Sequence, residues 1–270
     1  MPHAASEDPA DGRITTELHD ELYLIGFDRP AKLNGFTPRM LRQLAQAYTE
    51  FEREPGARCA LVFAHGANFT AGLDLPKVAP HMGGERLFVE EGEIDPFGLR
   101  APFRSKPVVF AVQGICYTLG IELMLAGDVV VAAADCRFAQ LEVRRGLMPT
   151  GGATLRMVER AGWGNAMRYL LTGEEFDAPT ALALGFVQEV VAPGRQLDRA
   201  REIARAIAAQ APLAVSAVIA NARSAQRDGT PAAIAQLAGL QRALLASEDF
   251  QEGVRSFKNK SAPRFRGRRP

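Results

Sequence analysis

The chain has 270 residues, a formal charge of +1, 47% hydrophobic and 23% charged residues, enough for one large domain or a domain with an appended subdomain. The near-neutral balance excludes a general electrostatic pull towards nucleic acid or acidic membranes, and no apolar run approaches the roughly 20 residues that cross a bilayer. The first dozen residues are polar and acidic without a signal-peptide core, and Cys59, Cys116 and Cys136 lack metal-ligand spacing, so free thiols and a cytoplasmic protein are expected.

Residues 1–14 read as disordered, and 21–27 as a strand ending at Asp28-Arg-Pro30. Thr37 then serves as N-cap and Pro38 as first-turn residue of a helix whose apolar face is Met40, Leu41, Leu44, Tyr48 and Phe51. A second strand, 59–63, leads into the loop 69–75, where Gly72 permits a tight turn or a close approach. Residues 77–105 are irregular and suit a lid or a pocket wall.

Residues 107–112 predict a buried strand that Gly114 breaks, and Thr118 opens a helix with Leu119, Ile121, Leu123, Met124, Leu125 and Ala126. Such a helix is apolar on nearly every side and belongs inside a domain. It carries Glu122, which either has a structural partner or stands at a cavity where a perturbed pKa is used. Strands follow at Val129–Ala133 and Arg137–Ala139, then a turn-rich segment, 140–152, that holds Glu142. Helices are expected at 153–160 and 164–172, a short helix capped by Asp177 and ended by Gly185, and a last strand at 186–191. Beyond that only helices are expected, at 197–209, 212–227, 231–246 and 248–259. The organisation is therefore a wound α/β core, 1–195, and a helical region, 196–270, that packs on the core or on a neighbouring subunit.

Several chemistries are missing from the sequence. There is no phosphate-binding P-loop, strand-linked G-x-G-x-x-G, G-x-S-x-G elbow or H-E-x-x-H, and His3, His19, His65 and His81 are scattered. What remains is two loop-to-helix turns and two glutamates. A free backbone N–H at a helix start is a good donor to an oxyanion, and two carboxylates in different environments can divide acid and base roles.

Phe69-Thr-Ala-Gly-Leu-Asp-Leu75 resembles the F-x-A-G-x-D loop of the crotonase (enoyl-CoA hydratase/isomerase) superfamily. Lys106-Pro-Val-Val-Phe-Ala-Val-Gln-Gly114, with Gly120-Ile-Glu-Leu123 and Asp128, is similar to its next signature. Phe138-Ala with Glu142, Gly146, Pro149 and Gly151-Gly152 resembles the block after that, and further matches run in order from Asp28-Arg-Pro30 to Phe257 and Lys260. The resemblance implies the crotonase (ClpP-like) fold, an α/β spiral of ββα repeats with a C-terminal helical region that builds a homotrimer, often a dimer of trimers. It implies an acyl-CoA thioester substrate and no metal or redox cofactor.

By position, the resemblance makes the N–H groups of Leu73 and Leu119 the oxyanion hole and Glu122 and Glu142 the catalytic pair. It places Ala71 and Leu75 at the adenine through their backbone, with Lys32 and Leu33 nearby, and counts Asp74, Thr118, Leu141 and Thr150 among the positions that bind the substrate or its CoA. Phe257 and Lys260 reach the CoA of an adjacent subunit. Hydration of an enoyl-CoA is expected, with Δ3,Δ2-enoyl-CoA isomerisation, other acyl-CoA lyase or hydrolase chemistry, or a CoA-binding homologue of little activity as alternatives.

Two features qualify the pattern. Thr118-Leu119-Gly120 stands where hydratases carry a run of glycines, so side chains there are expected to narrow or reshape the acyl site. Arg144 beside Glu142 either makes a surface ion pair or lowers the pKa of Glu142. Asp74 has a structural reading as a loop cap, Lys260 and the arginines of the tail as solvated charges.

Overall fold

The computed structural model describes residues 9–83 and 88–267. Residues 1–8 of the segment expected to be disordered lie outside these, as do Gly84, Arg268 and Arg269. The chain forms β1 (Arg13–His19), β2 (Leu22–Asp28), α1 (Pro38–Arg53), β3 (Cys59–Ala64) and the short α2 (Leu75–Val78). Next come β4 (Val108–Val112), β5 (Ile115–Tyr117), α3 (Leu119–Ala126), β6 (Val129–Ala133), β7 (Arg137–Ala139), α4 (Ala153–Ala161) and α5 (Trp163–Thr172). After β8 (Phe176–Asp177), α6 (Ala178–Ala183) and β9 (Glu189–Val191), the chain is helical: α7 (Gln196–Ala208), α8 (Pro212–Asp228), α9 (Thr230–Leu245) and α10 (Glu248–Asn259).

Two sheets share these strands. One has six strands in the order β1-β2-β3-β4-β6-β9, parallel apart from β1 against β2; the other has three, β5-β7-β8. The chain alternates between them. It runs from β4 in the large sheet to β5 in the small one, through α3, then back to β6 and on to β7. The turn before begins the same pattern, since β3 is followed by Thr70, which bridges in parallel to Cys116 of β5. Each turn of this spiral delivers a loop to the same end of the small sheet.

The inner strands β3 and β4 are apolar and almost wholly buried on both faces, so the large sheet needs a layer on each side. On one side Phe27, Phe36, Met40, Phe69, Phe110 and Leu123 belong to the main core. On the other, Ala200, Ala204 and Ala208 of α7 pack on Leu61, Val109 and Val131. Alanine at that spacing lets the helix lie close to the sheet. Thus α7, beyond the boundary expected near residue 195, is a layer of the core, while α8 to α10 form an arm. Arg223 of α8 ties the arm back, donating to Arg104 O at 3.0 Å and pairing with Asp128 at 3.3 Å.

The tail is fastened as well: Arg266 N–H and Gly267 N–H donate to the buried Asp249 carboxylate at 2.7 and 2.8 Å. β1 falls partly within the segment read as disordered, because every residue of Arg13–His19 keeps some exposure and no alternation marks it. The last strand is shorter than expected; Phe186 N–H turns to Ala181 O at 2.8 Å and leaves only Glu189–Val191 in the sheet. All three cysteines are free and buried.

Ala204 has no accessible surface, so a larger side chain there must push α7 off the sheet. Ala204→Leu is expected to destabilise by about 1–3 kcal/mol, read as a lower urea midpoint at unchanged slope.

Candidate active site

The parallel pairing of Thr70 with Cys116 brings two turns together. Phe69 N–H donates to Gln113 O at 2.8 Å, Thr70 N–H to Ile115 O at 2.9 Å, and Tyr117 N–H returns to Thr70 O at 2.9 Å. Leu73 and Leu119 each stand three positions beyond this pair. The residues just before them touch: Gly72 has φ +100°, and a Cβ on it would collide with the Thr118 hydroxyl. Among the described residues neither Leu73 N–H nor Leu119 N–H has an acceptor. Leu119 opens α3, so its N–H is one of the orphan donors at the positive end of a helix.

Thr118 holds φ +48° and ψ −115°, a conformation that suits glycine and strains a β-branched residue, and its side chain makes no capping bond. The backbone of a glycine-rich turn is therefore kept although threonine occupies it. Both side chains of this turn lie against protein. Leu119 is 4% exposed and joins the main core, and the Thr118 hydroxyl lies against Gly72.

Three residues on from Leu119, Glu122 is 5% exposed. Its Oε1 accepts from Gly151 N–H at 2.7 Å and Ala153 N–H at 3.2 Å, where the chain enters α4. Gly151 is required by the closeness of this contact, since a Cβ there would lie 2.7 Å from Glu122 Oε2. Burial pushes the Glu122 carboxyl up to about 7; the Ala153 and Gly151 N–H groups oppose this, and the negative charge of Glu142 adds to it. Glu142 begins a 3-10 turn, 142–145, and burial likewise raises its carboxyl to about 7.

Glu122 feels the charge of Glu142, so the two predicted carboxylates lie within electrostatic reach, while the rise at Glu142 comes from its own burial. Each has a different support. Gln140, 1% exposed, lies 2.9 and 3.1 Å from the Glu142 oxygens, with its amide nitrogen turned to donate. Arg144 does not pair with Glu142: its Nε donates to Thr172 O at 3.3 Å, and it takes no part in the Glu142 shift. The reading in which it lowers the pKa is overturned, because the side chain leaves the turn in another direction.

Three supporting residues escaped the sequence reading. Gln140 could have been found as a polar residue next to a strand end and two before Glu142. Arg156, on α4, donates from Nη1 to Gly151 O at 3.1 Å and from Nη2 to Phe97 O at 2.6 Å, and its positive charge opposes the rise at Glu122. Phe97 belongs to the irregular stretch 88–105 and carries no motif.

The other predicted positions divide into two groups. Lys32 and Leu33 are exposed on a turn whose Leu33 and Asn34 are left-handed. Asn34 braces that turn, accepting from Arg29 N–H at 2.7 Å and donating to His65 O and Asn68 O. Ala71 N–H is committed to Leu33 O at 2.9 Å, which leaves its carbonyl for a ligand, whereas the Leu75 carbonyl accepts from Ala79 N–H. Asp74 is structural: its carboxylate pairs with the buried Arg29 at 2.9 Å and gives no cap bond to α2. Leu141 is half-buried beside Glu142 and Thr150 is exposed. Phe257, 87% exposed, and Lys260 stand at the end of α10, away from the core. His65 is not near the carboxylates' supports; its ring meets Thr15 Oγ1 at 3.2 Å.

The sequence pattern of the enoyl-CoA hydratase/isomerase family matches residues 17–268. The chain belongs to this family. A probable enoyl-CoA hydratase/isomerase of Mycobacterium abscessus is similar over 94% of this chain and 98% of its own, at 45% identity and a TM-score of 0.91. Among curated proteins, an enoyl-CoA hydratase of Mycobacterium tuberculosis is 30% identical over 93% of this chain and 96% of its own length. A 1,2-epoxyphenylacetyl-CoA isomerase of Escherichia coli is 30% identical over 94% and 98%. The chain thus has the crotonase fold, and its relatives include both hydratases and isomerases.

Two outcomes follow for this crotonase site. A carboxyl whose folded pKa stands above its unfolded value of about 4.3 costs no stability below that pH. The cost grows as pH rises towards 7 and persists above. Glu122→Gln is therefore expected to raise Tm by about 2–4 °C at pH 8 and by little at pH 4.5, measured by thermal scans at both pH values. At position 118, relief of strain outweighs the flexibility that glycine adds to the unfolded chain. Thr118→Gly is expected to stabilise by about 1 kcal/mol, measured by urea denaturation, where glycine at an ordinary position would cost that amount.

Proposed function

We propose that the protein adds water to the double bond of an α,β-unsaturated acyl-CoA thioester. The observation that carries this reading is two carboxyls, Glu122 buried and Glu142 half-buried, both raised to about 7, near a helix start whose N–H is unpaired. Near neutral pH such a pair holds about one proton between two groups, so one acts as base while the other acts as acid.

A water molecule lies between the carboxylates. The ionised member takes its proton as the oxygen attacks the β carbon, the π electrons move onto the thioester oxygen, and the Leu73 and Leu119 N–H groups hold that oxyanion. The protonated member then delivers its proton to the α carbon, on the same face, and the C=O re-forms. Losing one such backbone donor costs about 3–4 kcal/mol in comparable sites. The chemistry draws on the protein's carboxylates and backbone dipoles, with coenzyme A as part of the substrate.

The thioester's adenosine end is assigned to Lys32, Leu33, the Ala71 carbonyl and Leu75 N–H. Phe257 and Lys260 project from the arm, which suits contact with CoA on a neighbouring subunit of a homotrimer. An isomerase needs one carboxylate to carry a proton between two carbons. Retention of both, each with its own hydrogen-bond support, favours hydration.

Loss of the conjugated thioester absorbance of crotonyl-CoA tests the reading. The profile of kcat/KM against pH is expected to be bell-shaped and centred near 7, since both carboxyls are protonated below and both ionised above. Glu122→Gln and Glu142→Gln are each expected to lower kcat by about 10²–10⁴-fold. Conversion of a 3-enoyl-CoA with no hydration of crotonyl-CoA would assign the isomerase reaction instead. CoA binding without turnover of either would leave a binding protein.

A further inference from the structure

Phe97 takes no part in the chemistry above, yet it stands beside it. Its Cδ1 and Cε1 atoms would lie 2.7 and 2.8 Å from a Cβ on Gly151, and Glu122 Oε2 would lie 2.7 Å from the same point. The ring and the free oxygen of Glu122 therefore border one small space. Oε2 is the oxygen left for a ligand, because both backbone N–H groups go to Oε1.

The turn that presents this ring is fastened from two directions. The buried Asp95 carboxylate accepts from Phe97 N–H at 3.0 Å and Leu99 N–H at 3.1 Å, and Gly98 N–H closes the turn on Asp95 O at 2.9 Å. The Arg156 guanidinium reaches Phe97 O at 2.6 Å and Gly151 O at 3.1 Å, so one cation joins the aromatic turn to the turn that serves Glu122. Phe97 itself is partly buried and packs on the main core. With both its N–H and its C=O held, the backbone that presents the ring cannot shift without breaking these bonds.

We infer that Phe97, joined to Gly151 by Arg156 and held in its turn by Asp95, walls the acyl pocket beside Glu122 and limits the length of acyl chain that the site accepts. The inference rests on the acyl-CoA reading of the site. Arg156 and Asp95 act through Phe97 and are positioning residues. A chain that continues past the carboxylate pair meets the ring, and removing the ring opens the space that further methylenes need.

Saturated butyryl-CoA and octanoyl-CoA report on this without turnover. Their affinities are measured by titration calorimetry for the wild type, Phe97→Ala, Phe97→Leu and Arg156→Lys. Phe97→Ala is expected to shift the octanoyl-to-butyryl affinity ratio about tenfold or more towards octanoyl, the size of discrimination a hydrophobic pocket achieves. Phe97→Leu shifts it less. Arg156→Lys, which loses the two-armed grip, shifts it in the same direction, whereas a merely structural loss would weaken both ligands alike. A ratio within about twofold of the wild type in a cooperatively folded Phe97→Leu and Phe97→Ala pair overturns the inference. So does a wild type that already prefers octanoyl by more than about tenfold. If both ligands bind and the ratio stays put, only this inference falls. If neither binds the wild type, the acyl-CoA reading falls with it.

Discussion

Glu122 is the sole polar side chain on an otherwise apolar helix, and among the described residues no lysine or arginine forms an ion pair with it. Its charge is met instead by two peptide dipoles, Gly151 N–H and Ala153 N–H, at the entrance to α4. Two dipoles do not fully offset the loss of water around a carboxylate, so the group holds its proton up to about pH 7. That single compromise constrains much of the surrounding chain. α4 must approach the middle of α3, residue 151 must lack a side chain, and the carbonyl side of the same turn must find its own donor, which Arg156 supplies.

The second constraint is that the two N–H groups left without an acceptor among the described residues, those of Leu73 and Leu119, are backbone. Their placement depends on the parallel contact between Thr70 and Cys116 and on helix α3 starting where it does. Side chains are free to vary at such positions so long as the backbone is held. This explains how threonine can stand at 118 in a conformation that suits glycine: the helix that follows is buried on almost every face, and its packing over-determines the turn. Strain of this kind persists where the surroundings enforce it.

Away from the carboxylates, one arrangement recurs. Loops are held by a buried polar side chain reaching to backbone atoms: Asn34 under the turn at Leu33, Arg29 joining Gly35 to Asp74, Asp95 inside its own turn, Asp249 under the tail. Each fixes a surface segment without regular secondary structure. Loops held in this way are placed by specific buried side chains rather than by a ladder of backbone bonds.

The strands β3, β4 and β6, the long helices and the two glutamates were legible in the sequence, because apolar runs, caps and an isolated charge in an apolar helix are local signals. The loop motifs at 69–75 and 106–128 also named the fold class through their resemblance. Legibility ended where local signal ended. β1 has no alternation, β5 and β8 are too short to show a period, and α7 looks like any alanine-rich helix although it closes one face of the sheet. The reach of the Glu142 charge to Glu122, the direction taken by Arg144, and the contacts of Gln140, Arg156 and Phe97 depend on which segments meet in space. By itself the sequence determined the elements and the reactive groups. Only the tertiary structure decided which of those groups are desolvated and what holds them, because desolvation and hydrogen-bond partners arise from packing between segments far apart in the chain.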